Sequence, residues 1–123
     1  MNLVSSGWLE YLGDNENANY FASAIEDIHS LVVSTINIYE VYKKVTQNID
    51  ESSAIQVVAL MHQGLVVEID SEIALMAGKI SIKYKLPLAD SMIYATAKKY
   101  NAVLWTQDID FQNLENVQYI IKI

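Results

Sequence analysis

Four acidic side chains of this chain stand where chemistry can be built. Near the C-terminus an apolar stretch ending in Leu104-Trp105 runs straight into Thr106-Gln107-Asp108-Ile109-Asp110-Phe111. That pattern delivers carboxylates to the C-terminal end of a strand, which is where open parallel sheets bind ligands. Asp90 follows Leu88-Ala89 at the start of a helical pattern, and Glu40 lies inside another. Three or four carboxylates gathered in one place would repel one another. At about 4 Å and an effective dielectric near 20, each like-charged pair costs roughly 4 kcal/mol. A hard divalent cation removes that repulsion and suits oxygen-only ligands. The residues therefore point to an Mg²⁺ or Mn²⁺ site and to phosphate chemistry.

Each of these residues also has a plainer role. Asp108-Ile109-Asp110 can form an Asx-type turn after a strand. Asp90 near a helix N-terminus is favoured by the helix dipole. Glu40 falls opposite the apolar stripe Ile38, Val41, Tyr42 and Val45, on a solvated face where Lys44 offers a weak i+4 partner. In the metal-site reading the Thr106 hydroxyl can hold a carboxylate or a metal-bound water. His29 and His62 lack metal-ligand spacing and read as surface residues. There is no Cys, no Gly-x-Ser-x-Gly elbow, no Walker loop and no Gly-x-Gly-x-x-Gly. The doublets Lys43-Lys44 and Lys98-Lys99 can touch phosphates or simply face solvent.

Elements must hold these side chains in place, and apolar periodicity supplies them. Leu3-Val4, Leu31–Val33, Leu65–Ile69, Ala102–Trp105 and Val117–Ile121 read as short strands. Between them, helical spacing marks Trp8, Leu9 and Leu12, closed by Gly13, and then Phe21, Ala24, Ile25 and Ile28. Ser34 or Thr35 caps a helix through Ile49, Asp50 starts another carrying Ala54, Val57 and Met61, and Asp70 or Ser71 starts a third carrying Ile73, Ala77 and Ile80. A last helix follows Pro87 and carries Ala89 to Tyr100. Strands alternating with helices predict an α/β fold: a three-layer α/β/α sandwich around a mostly parallel sheet of four or five strands. The continuously apolar strands fit a sheet covered on both faces.

At 123 residues the chain reads as one domain with a sizeable core. No apolar run is long enough to span a membrane and no signal peptide is visible, so a cytoplasmic protein is expected. The net charge is −7, with eight Lys and no Arg, which argues against a dedicated duplex-binding module. It leaves open an enzyme that holds nucleic acid through metal ions.

Taken together, the segments resemble a PIN domain, most closely the toxin ribonuclease of VapBC-type toxin–antitoxin pairs. Val4-Ser5-Ser6-Gly7-Trp8-Leu9-Glu10-Tyr11-Leu12 resembles the family's opening Asp-Ser-Ser-x-Trp segment. Thr35 to Val41 resembles the segment that supplies its helical Glu. Leu86-Pro87-Leu88-Ala89-Asp90-Ser91 onward resembles its Asp-bearing helix, and Leu104 to Phe111 its closing Thr-x-Asp-x-Asp-Phe. The resemblance implies Glu40, Asp90 and Asp108 as catalytic metal ligands, Asp110 as accessory, and Ser6 and Thr106 as hydroxyl supports. It further implies Mg²⁺ or Mn²⁺, an RNA substrate, a protein antitoxin and a homodimer. One element departs from the pattern: the family's first Asp is missing. Either Val4 occupies its place or a residue between Val4 and Ser5 is absent, and reduced cleavage is expected in either case. Two other readings compete: a PIN-fold binding module without catalysis, and a different Mg²⁺-dependent α/β phosphate enzyme. Haloacid-dehalogenase-like phosphatases carry a similar Asp pair, but after the first strand, and position 112 here is Gln.

Overall fold

Each β-branched run becomes a strand and each amphipathic stretch a helix in the computed structural model, which describes Met1 to Ile123. The order is β1 (Asn2–Val4), α1 (Gly7–Leu12), α2 (Ala18–Glu26), β2 (Leu31–Ser34), α3 (Thr35–Asn48), α4 (Glu51–Met61), β3 (Leu65–Val67), α5 (Ser71–Tyr84), α6 (Leu88–Lys99), β4 (Val103–Thr106) and β5 (Val117–Tyr119). Two single-turn 3₁₀ segments add to these: Ile109–Phe111, where periodicity gave no element, and Ile28–Ser30, which takes Ile28 out of the helical stripe expected for it because α2 ends at Glu26. The third strand ends at Val67 rather than Ile69, and the last at Tyr119 rather than Ile121.

All strand pairings are parallel, and the sheet order is β3-β2-β1-β4-β5. The expected α/β/α sandwich is therefore present, with five strands. Side-chain alternation divides the core between its two faces. Leu3, Val32 and Leu104 pack with Ile73, Ala77, Ile93 and Tyr94 under α5 and α6. Val4, Leu31 and Val33 pack with Trp8, Phe21, Val41 and Met61 under α1 to α4. Both Val32 and Val33 are wholly buried, so β2 is apolar on both faces because both faces are covered.

Caps fix where the helices begin. The Ser34 hydroxyl accepts from the Ile36 N–H, and the Asn37 side chain accepts from the Ser34 N–H, forming a reciprocal box. Asp50 and Asp70 cap α4 and α5 by accepting from the Ser53 and Ile73 N–H groups. Gly7 is required by a close approach: a Cβ there would overlap the Phe21 ring, so α1 packs against α2 with no room for a side chain.

The order of strands sets the site. From β1 the chain builds outward through β2 and β3, then returns to build β4 and β5 on the other side. Succession reverses between β1 and β4, and an open parallel sheet leaves its ligand crevice outside the C-terminal ends of two such strands. Val4 pairs with Trp105 there, and the Ser5 N–H donates to the Trp105 carbonyl at 3.1 Å.

Candidate active site

The turn after β4 is built by its own side chains. Thr106 is fully buried, and its hydroxyl oxygen accepts from the Asp108 N–H at 3.0 Å. The Asp108 carboxylate in turn accepts from the Asp110 N–H at 3.0 Å. Ser6 Oγ, at the start of α1, accepts from the Gln107 N–H at 3.2 Å and lies 3.4 Å from Thr106 Oγ1. Ser6 and Thr106 thus brace the backbone that presents Asp108. Thr106 holds the Asp108 main chain, not a carboxylate as its sequence position had allowed.

Asp90 reaches the same place from the first turn of α6. Carboxylate oxygens of Asp90, Asp108 and Asp110 all lie within 4.8 Å of one another. Asp90 and Asp108 are half-buried and Asp110 is exposed. Burial, reinforced by the charges of Asp108, Glu40 and Asp110, pushes the Asp90 carboxyl up from the usual 3.8 to about 6. Ion pairs engage only Lys98 and Lys99, with partners at Glu115, Asp70 and Glu72, so no lysine neutralises the three aspartates.

Glu40 stands outside that trio, yet near enough for its charge to help raise Asp90. The helical wheel placed Glu40 on a solvated face. It is half-buried instead, and burial raises its carboxyl above the usual range. The reason is tertiary: α1 and the C-terminal tail fold over this side of α3. Glu40 shares a cavity of about 250 Å³ with Ser5, Trp8, Asn37, Gln107 and Lys122. Three buried donors around that cavity, Ser5 Oγ, Trp8 Nε1 and Asn37 Nδ2, have no partner. His29 and His62 are exposed, as expected.

The two positions next to the end of β1 differ in what surrounds them. Val4 is wholly buried in the core under α1 to α4. A carboxylate at position 4 would enter that core and not the crevice. Ser5 is the first residue past the strand, and its hydroxyl lines the cavity beside Glu40. A carboxylate placed directly after Val4 would instead stand beside Ser5 at that cavity. Sequence reasoning missed Ser5, Asn37, Gln107 and Lys122 as cavity residues. Only Asn37 carried a local signal, as the third residue of its capping box.

An oxygen-only trio at the switch point of a parallel α/β sheet defines a class of open-sheet proteins with an acidic crevice, suited to a hard divalent cation. The PIN domain family model matches residues 3–117, and the chain belongs to that family. Solved structures share the fold. A toxin–antitoxin complex from Klebsiella pneumoniae is 22% identical over 96% of each chain, with a TM-score of 0.78. VapBC-1 from nontypeable Haemophilus influenzae is 22% identical over 98% of this chain and 96% of that one, at 0.73. VapC20 from Mycobacterium tuberculosis, a toxin that cleaves the sarcin–ricin loop, is 13% identical over 94% of this chain and 95% of that one, at 0.75. No curated protein sequence matches the chain.

Proposed function

We propose that this chain is a PIN-type, divalent-metal-dependent endoribonuclease, the toxin of a toxin–antitoxin pair, with cleavage reduced by the carboxylate missing after β1. The observation that carries the reading is the convergence of Asp90, Asp108 and Asp110 within 4.8 Å at the β1–β4 switch point. These residues fit Mg²⁺ or Mn²⁺: the donors are all carboxylate oxygens, and no lysine already satisfies them. Asp90 and Asp108 would hold the ion, with Asp110 accessory and Glu40 facing it from α3. When bound, the ion supplies Lewis acidity, acidifying a water nucleophile and offsetting charge that develops at phosphorus. Ser6 and Thr106 keep Asp108 oriented through the turn after β4.

The toxin and ribonuclease parts of the reading draw on the PIN family and on the structural neighbours named above. They imply an unpaired or looped RNA as substrate, whose splayed bases suit an open crevice. They also imply a small antitoxin and a cytoplasmic setting. No helix of this chain is long and apolar enough to cross a membrane. Exposed Leu75 and Ile82 on α5 and Leu88 on α6 support a homodimer through that side.

The test is RNA cleavage in Mn²⁺ by this chain and by a version with Asp inserted between Val4 and Ser5. Cleavage by the inserted version, weak or absent in the parent, is the expected result. If the insertion adds neither Mn²⁺ binding nor cleavage, the enzyme reading fails. Ser5 at the strand end favours a second reading, a non-catalytic binding module of the same fold, and that outcome would select it.

A further inference from the structure

We propose that Lys122 is the phosphate anchor of the crevice, receiving a backbone phosphate of the RNA strand beside the acidic trio; this rests on the ribonuclease reading above. A polyanion approaching this end of the sheet meets Glu10, Glu40, Asp90, Asp108 and Asp110. A divalent ion offsets part of that charge, and a basic side chain beside it would hold a second phosphate. Two cavities adjoin here: one of about 460 Å³ containing Ser6, Asp108, Ile109 and Tyr119, and the one of about 250 Å³ beside Glu40. Both are lined by Ser6, Gln107 and Lys122, so Lys122 stands on the rim they share. It is the one basic side chain lining either. Despite that acidic setting, Lys122 is within ion-pair distance of no carboxylate, so its ammonium is available to a ligand.

Its position is fixed although its side chain is exposed. The Ile120 N–H donates to the Thr106 carbonyl at 3.0 Å, laying the tail past the end of β4. Asn17, almost wholly buried, donates through Nδ2 to the Ile121 carbonyl at 3.1 Å and to Gln107 Oε1 at 2.9 Å. A buried amide pair thereby ties the residue before Lys122 to the turn that presents Asp108. Ser5 and Asn37, whose unpartnered Oγ and Nδ2 are buried, line the inner wall of the smaller cavity and leave Lys122 as the basic group at its rim.

The experiment is anisotropy titration of a fluorescently labelled, unstructured RNA oligonucleotide with the full chain in Ca²⁺ over a range of salt. Lys122→Gln, Lys122→Arg and Lys83→Gln are compared, each checked for fold by circular dichroism. Lys122→Gln should weaken binding by about five- to tenfold and lower the slope of log affinity against log salt by about 0.7, one single-strand phosphate contact. Lys122→Arg should restore both. Lys83, in the last turn of α5 and lining neither cavity, sets the effect of losing any one charge. Equal affinity and slope for Lys122→Gln and Lys83→Gln would overturn the assignment while leaving the ribonuclease reading intact. A parent chain that binds no RNA even at low salt would overturn both.

Discussion

Thr106 and Asp108 are linked by a 3.0 Å hydrogen bond from the Asp108 N–H to the Thr106 hydroxyl, and this bond aims the carboxylate on which the crevice depends. Thr106→Val keeps the shape and removes the acceptor. The Asp108 N–H then loses its partner, and the Ser6 hydroxyl loses a neighbour. Stability should fall by about 1–3 kcal/mol in urea denaturation. Mn²⁺ affinity, measured by calorimetry, should fall by about 10–100-fold, as when an orienting group behind a ligand is removed. Unchanged Mn²⁺ affinity would mean that the turn is held without Thr106.

Saturating Mn²⁺ should stabilise the chain near pH 7.5, because an ion that binds only the folded state shifts unfolding by mass action. The gain is about 2.7 kcal/mol at a hundred times the dissociation constant. Asp108→Asn should abolish most of it. Near pH 5 the gain should shrink in the parent chain, since Asp90 titrates at about 6 and a proton competes with the cation. Thermal melts with and without Mn²⁺ at the two pH values decide it; equal shifts at both would place the ion elsewhere.

Without metal, Asp90 should be a burden on stability, and the sign follows from its direction of shift. Burial first, then like charges, raises it from 3.8 to about 6 in the folded chain. The penalty is absent below about pH 4, grows between the two values and is complete above about 6. At face value the shift is worth about 3 kcal/mol, but Asp90 is half exposed and screening reduces it to roughly 1 kcal/mol. Asp90→Asn should therefore stabilise the metal-free chain at pH 7.5 and leave it unchanged at pH 4. A denaturation series across that range would contradict the assignment if the variant were no more stable at pH 7.5.

Local chemistry in this chain could be read from the residues, and tertiary chemistry could not. Ser34, Asp50 and Asp70 begin helices because their caps act within three residues of themselves. Val32-Val33 reads as an interior strand because both its faces are apolar. Asp108 and Asp110 were visible because a strand runs into them. Glu40 misled because a helical wheel cannot show α1 and the tail closing over α3. Lys122 carried no signal at all: it is set by Asn17, which reaches Gln107 and Ile121 across 90 and 104 residues of sequence. Chain reversals also escaped the usual punctuation, since the left-handed positions are Asp14, Lys85, Asn101 and Asn116 and no glycine has positive φ. Gly13 ends α1 in ordinary helical conformation, and Asp14 makes the turn.

The last prediction concerns where a carboxylate can be restored. Val4→Asp places a charge at a wholly buried position in the core cluster that holds Trp8 and Phe21, with no cation to meet it. That substitution should destabilise the fold by about 3–5 kcal/mol, the range for an uncompensated buried charge. Insertion of Asp between Val4 and Ser5 leaves Leu3 and Val4 in register with β2 and β4 and puts the new side chain past the strand end. A further carboxylate facing Asp90 and Asp108 should tighten Mn²⁺ by about tenfold or more. It should also raise the metal-free destabilisation, because another like charge joins the cluster. Melting temperature read with and without Mn²⁺ separates the two variants: the insertion should lose stability without metal and regain it with metal, whereas Val4→Asp should lose it in both. If Val4→Asp were the variant rescued by Mn²⁺, position 4 would face the crevice and the packing of β1 described above would be wrong.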